Sequence, residues 1–242
     1  MALKYKRILL KFSGEALMGP GDFGLDAATL KAVVSQVKEL RDLGVEVGIV
    51  VGGGNIFRGA QIQGSGIQRT TGDHMGMMAT VINALALRDV IESMGMKSQV
   101  LSAMSIEGVS SGFNANSVKK QLADGEVIVF AAGTGSPFFT TDTAAALRGI
   151  EIDAEIVLKA TKVDGIYSAD PVKDPSATRF QTLTYNEVIQ KNLQVMDMTA
   201  FVLCRDHSMP IRVFDMFKDN AVIRIVQGED EGTLVCSGES KC

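Results

Sequence analysis

The chain has 242 residues, of which 46% are hydrophobic and 21% charged, and it carries a net charge of −4. That composition suits a packed globule of one domain, residues 1–242, and excludes a disordered chain. The acidic balance and the lack of a basic stripe argue against a nucleic-acid reader, and the apolar run without charge or histidine over 75–87 is too short to cross a bilayer.

The apolar run Ile8–Leu10 is too short for a signal peptide and is broken by Lys11. It reads instead as a buried strand that ends in Lys11-Phe12-Ser13-Gly14. Asp26 is placed to cap a helix whose apolar face is Leu30, Val33, Val34, Val37, Leu40 and Leu43, closed by Gly44. Val45–Val51 is a β-branched strand followed by Gly52-Gly53-Gly54-Asn55. Asp73 reads as the start of a long Met-rich helix that stops near Gly95. Its apolar circumference suits burial against a sheet or a subunit interface.

Ser98–Leu101 and Glu126–Ala132 are expected strands, with a helix over 115–123 between them. The second strand runs into Gly133-Thr134-Gly135-Ser136-Pro137, and a helix from Asp142 to Gly149 follows, with Asp142 as its expected cap. Glu155–Ala160 is a strand leading into Thr161-Lys162-Val163-Asp164-Gly165. Helices over 185–191 and 199–206, a strand Ile211–Phe214, a helix Asn220–Val226 and an edge strand Thr233–Val235 complete the chain. Strand–helix alternation throughout predicts a three-layer αβα sandwich with a mainly parallel central sheet.

Ligands of such sheets sit beyond the carboxyl ends of the strands. Four strand ends here carry Gly, Ser, Thr or Lys, a pattern that offers backbone N–H groups to anions. Gly19-Pro20-Gly21-Asp22-Phe23-Gly24 matches G-x-G-x-x-G, but it does not directly follow a strand, and the next strand ends in Gly52 where a dinucleotide site needs an acid. It is read as a mobile loop. Lys11 is costly at the end of a buried strand unless an anion meets it. Lys159 and Lys162 flank Thr161 in a similar place, and Arg58 follows the triple glycine. Asp197 sits in an apolar setting that calls for a lysine or a metal-bound phosphate. His74 and His207 lack metal or triad spacing and read as structural. Cys204, Cys236 and Cys242 form no metal or disulfide spacing; their sparse, odd number suits a reducing cytoplasm, and Cys204 reads as a core residue.

Lys11-Phe12-Ser13-Gly14-Glu15, Gly52–Asn55, Arg58-Gly59, Gly72-Asp73-His74-Met75, Gly133–Asp142, Lys159–Gly165, Met196-Asp197 and Arg205-Asp206-His207 together resemble the bacterial uridylate kinases, of the amino acid kinase fold. The resemblance implies transfer of the ATP γ-phosphoryl group to UMP in pyrimidine nucleotide synthesis. It implies ATP against Lys11, Phe12, Ser13, Gly14, Gly54, Arg58, Thr161, Lys162, Tyr167 and Asp170. It implies UMP against Gly53, Asp73, Thr134, Gly135, Ser136, Pro137, Phe138, Phe139, Thr140 and Thr141, with Ser136 where Asn is more usual. It further implies Mg²⁺ carried mainly by ATP, a homohexamer, UTP inhibition, and GTP activation through Gly19, Pro20, Gly21, Asp22, Phe23 and Gly24.

The acceptor of such a reaction is an anionic phosphate oxygen, so alignment and charge cancellation are needed and a general base is not. Lys11 is expected to bridge the transferring group, Lys159 or Lys162 to assist on the ATP side, Asp197 to hold a lysine, and Asp73 to take the ribose hydroxyls. A kinase of the same fold acting on a carboxylate or carbamate, and a nucleotide-binding regulator without catalysis, remain open alternatives.

Overall fold

The computed structural model describes residues 3–59, 64–171, 173–193 and 196–238. Among these, the strands are β1 Arg7–Phe12, β2 Glu46–Val51, β3 Ser98–Ser102, β4 Ser111–Gly112, β5 Val127–Ala131, β6 Ile156–Thr161, β7 Thr182–Thr184, β8 Ile211–Asp215 and β9 Thr233–Cys236. The helices are α1 Ala27–Asp42, α2 Arg69–Ser93, α3 Ala115–Ala123, α4 Thr141–Glu151, α5 Tyr185–Gln190, α6 Met198–Asp206 and α7 Ala221–Val226. The strands form one sheet in the order β4-β3-β5-β2-β1-β6-β8-β9-β7, and every neighbouring pair is parallel except β8 with β9.

Period-two alternation assigns each strand residue to one of two layers. Ile8, Leu10 and Phe12 of β1 join Ile156, Leu158 and Ala160 of β6 in a core that includes the apolar faces of α1, α2 and α7. Leu9 and Val157 point the other way, into a core shared with α3, α4, α5 and α6. The three layers expected from the sequence are therefore present.

Asp26 caps α1 as expected, accepting from Thr29 N at 2.7 Å, and Gly44 takes φ +86° where the chain turns back to β2. Three expectations are corrected. The helix read from Asp73 begins four residues earlier, at Arg69, so Asp73 lies within its second turn and does not cap it. Thr140, not Asp142, caps α4, its Oγ1 accepting from Asp142 N at 3.0 Å. The strand read as an edge, β9, is interior, between β8 and β7, and Thr233 is fully buried. The short strands β4 and β7 carry no sequence periodicity and exist only through pairing with β3 and β9.

Candidate active site

The site lies beyond the carboxyl ends of β1, β2, β5 and β6. Lys11 and Lys159 occupy matching register positions on the adjacent parallel strands β1 and β6. Alternation sends both side chains to the face of Leu9 and Val157, where α4 begins. There they meet Asp142, with Lys11 Nζ 2.6 Å from Oδ1 and Lys159 Nζ 2.6 Å from Oδ2. All three side chains are close to fully buried, with 8%, 12% and 12% of their surface exposed. Burial pushes the Asp142 carboxyl up, but the two ammonium groups outweigh it and hold it below the ordinary carboxylate range. Burial, reinforced by repulsion from Lys11, pushes the Lys159 ammonium below the ordinary lysine value, although Asp142 opposes this. Asp142 alone bridges the two lysines, so this trio carries a net positive charge, tempered on the Lys159 side by Asp197.

The ion pairs of both lysines go to Asp142, while Asp197, expected to hold a lysine, bears on Lys159 through its charge. Asp197 also caps α6, accepting from Ala200 N at 2.9 Å, and it accepts from the hydroxyls of Thr140 and of Thr143, the latter at 3.0 Å. These bonds tie α6 to the first turn of α4. The N-terminus of α4, whose peptide dipoles favour an anion, opens at Thr141 into the adjoining cavity.

That cavity has a volume of about 330 Å³ and is lined by residues including Gly53, Gly54, Asp73, Thr134, Phe139 and Thr141. Its walls approach closely. A Cβ on Gly53 would lie 2.8 Å from both Ala79 Cβ and the Gly76 carbonyl of α2, so only glycine lets this loop lie on the helix. Asp73 accepts from Phe138 N at 2.8 Å and pairs with Arg69 at 2.8 Å. The loop after β5 is pinned at its start, where Thr80 Oγ1 of α2 accepts from Ala132 N at 2.8 Å. Phe138 holds φ +74° and is exposed, a strained residue at the mouth of the site.

The remaining expected residues are distributed unevenly. Ser13 and Gly14 open the short 3-10 turn Gly14–Leu17 directly after β1, against the triple glycine. Phe12 is buried in the core facing away from the lysines. Arg58 is turned toward Glu15, at 2.9 Å, and donates to Gly54 O at 3.1 Å. Thr161 Oγ1 donates to Val163 O at 2.6 Å, and Lys162 is exposed, so only Lys159 of the two flanking lysines joins the buried cluster. Tyr167 donates to Asp164 at 2.5 Å, and Asp170 pairs with Lys173 at 3.4 Å on the surface beyond β6. Gly135, Ser136 and Pro137 continue the acceptor loop, where Ser136 N donates to Thr134 Oγ1 at 3.2 Å. His74 and His207 are exposed, and Cys204 is buried. The segment Gly19–Gly24 stands beside Arg58 and Ile56 around a second cavity of about 280 Å³.

Residues 6–215 match the amino acid kinase family. The chain is 82% identical to the uridylate kinase of Hydrogenovibrio crunogenus over 97% of its own length and 100% of that protein. It is 57% identical to that of Ectopseudomonas mendocina, covering 96% and 94%. The UMP kinase structure from Bacillus anthracis superposes with a TM-score of 0.95 at 36% identity, covering 97% of each chain. The chain therefore belongs to the amino acid kinase family and, within it, to the uridylate kinases, which are nucleoside monophosphate kinases.

Proposed function

We propose that the protein transfers the γ-phosphoryl group of ATP to UMP, giving UDP and ADP, at the Lys11–Asp142–Lys159 cluster. The observation that carries this reading is two buried lysines sharing one carboxylate beside a cavity walled by glycine loops and a helix N-terminus. The Lys11 ammonium, which spends one of its three N–H groups on Asp142, has donors for a phosphate oxygen. Lys11, at the mouth of β1 and beside Gly14, is placed to bridge the transferring group. Lys159 supports the leaving side, and Asp142 acts through both as a positioning residue. Charge cancellation of this kind is where phosphoryl transfer gains its rate.

Asp73 and the Thr134–Thr141 loop suit the acceptor nucleotide, and Gly14, Gly54, Arg58, Thr161, Tyr167 and Asp170 the ATP side. Among the described residues, no group of three or more His, Cys, Asp or Glu side chains converges to cage a metal. With Asp142 taken by two lysines and Asp197 by its hydrogen bonds, the donor set fits Mg²⁺ that arrives on ATP phosphates with few protein oxygens. That ion would add charge neutralisation at the phosphates.

Met75, Met78 and Ile82 form an exposed apolar stripe on α2, which supports assembly, here read as the homohexamer. Loop 19–24 lies outside the 330 Å³ cavity but shares Gly54 with it through the second cavity, which supports a regulatory reading for GTP and, with it, UTP. The sheet running from β4 to β7 supports one domain over 1–242. Among the described residues no helix is long and apolar enough to cross a membrane, in keeping with a cytoplasmic enzyme of pyrimidine nucleotide synthesis.

A coupled ADP-release assay across nucleoside monophosphates and small carboxylates tests the function. Turnover on UMP is expected, and activity confined to a carboxylate acceptor refutes it. Lys11→Ala should abolish turnover in a folded protein; full activity in that variant would sink the mechanism. Initial rates with and without GTP, in wild type and with loop 19–24 replaced, test the regulatory reading.

A further inference from the structure

Two asparagines outside the roles given above are completely buried: Asn55 at 1% exposure, and Asn83 at 0% in the apolar middle of α2. A buried amide is costly unless every group is met. These two meet each other. Asn55 Nδ2 donates to Asn83 Oδ1 at 3.0 Å, and Asn83 Nδ2 donates to Asn55 Oδ1 at 2.7 Å. Each has one more donor, and each spends it on a glycine carbonyl. Asn83 Nδ2 donates to Gly52 O at 2.7 Å, and Asn55 Nδ2 to Gly24 O at 2.8 Å. Gly24 N returns a bond to Asn55 O at 2.9 Å.

The pair also sets the spacing between loops. A Cβ on Gly14 would fall 2.5 Å from Asn55 Oδ1 and 2.6 Å from Gly52 O, so the loops after β1 and β2 touch over this amide. In a trans peptide the C=O and the following N–H point in opposite directions. Asn83 draws the Gly52 carbonyl inward, and so turns the Gly53 N–H away from the buried pair.

We infer that Asn55 and Asn83 are positioning residues for phosphoryl transfer, fixing the Gly52–Gly53 peptide so that its N–H is presented to the phosphate chain. The inference rests on the UMP kinase reading. A preorganised backbone donor at developing charge is worth roughly 10²–10³ in rate, and a peptide free to turn loses part of that.

The test compares wild type with Asn55→Leu, Asn83→Leu and the double variant, by ADP release with ATP and UMP and by thermal melting. An inactive wild type would refute the functional reading itself, not this inference. Each single variant strands a buried amide and should melt lower, whereas the double variant removes the amide pair, leaves only the Gly24 and Gly52 carbonyls without these donors, and should regain part of the melting temperature. All three should nonetheless lose at least about tenfold in kcat, with KM for both nucleotides changed much less. A double variant that regains kcat along with its melting temperature overturns the inference, as does a loss confined to KM. Should the leucine variants not fold, Asn83→Ser keeps a small polar group but loses the reach to Gly52 O. The same fall in kcat is then expected with a smaller drop in melting temperature than in Asn83→Leu, and wild-type kcat refutes the role.

Discussion

Replacing Asp142 by Asn keeps the side-chain shape and removes the charge that Lys11 and Lys159 share at 2.6 Å each. The two lysines occupy register positions on neighbouring strands, about 5 Å apart in backbone terms. At an effective dielectric near 20, two like charges at that distance repel by about 3 kcal/mol. Leaving buried charge without its partner costs on the order of 3–5 kcal/mol. For a chain of this size, each kcal/mol lowers Tm by about 2–4 °C, so a fall of about 6–20 °C is expected. The ammonium groups would relieve the repulsion by moving apart or by losing a proton. Lys159 is the one to lose it, because burial, aided by Lys11, already holds it below its ordinary value and Asp142 is the main opposing influence. The variant should therefore lose about 10²–10³ in kcat, and the alkaline limb of its rate profile should move to lower pH. ADP release measured from pH 6 to pH 10, with melting curves at each pH, reads both effects. A kcat within about threefold of wild type together with an unmoved alkaline limb would refute the reasoning.

Three further outcomes follow from the same geometry. The Asp142 carboxyl is held below its ordinary value, so on acidification the unfolded chain binds that proton first. Its stabilisation should be complete above the ordinary carboxylate range and drain away as pH falls through the lower folded value; acid titration of Asp142→Asn should lack this component, and an identical acid profile in the two proteins would contradict it. Gly53→Ala would set a Cβ 2.8 Å from the backbone of α2 and push the loop into the cavity it lines. It should cost about 1–3 kcal/mol in stability and raise the KM for UMP, and an unchanged KM would mean that this wall does not touch the acceptor. Burial, with a further push from Asp197, raises the Cys204 thiol to about 12. Peptide mapping after alkylation of the native protein near pH 8 should find Cys204 unmodified, and labelling there would show that the α6 core opens.

The layers, most helix limits and the phosphate-binding strand ends were legible along the chain because they rest on local periodicity. The apolar stripe and caps of α1 and the β-branched run of β2 state their own conformation. Lys11 was legible as a charge that a buried strand does not tolerate without an anion. A lone Asn83 in the apolar stretch 75–87 was a similar signal, open to the same argument about buried polar groups.

What the chain alone left undecided were roles that depend on a partner distant in sequence. Thr140-Thr141-Asp142 offers two residues able to cap a helix, and local preference does not choose between them. The choice is made by Lys11 and Lys159, which need a carboxylate 131 and 17 residues away and claim Asp142, leaving Thr140 as the cap. Asp197 looked like the lysine's partner because it is an acid among apolar residues, and it proved to be capping α6. The strands β4 and β7 are too short to show a period, and β9 became interior only when β7 paired with it. Sequence determined which residues could bear charge, turn tightly or pack; strand register and helix docking determined which of them meet, because those distances are set by the sheet and not by neighbours along the chain.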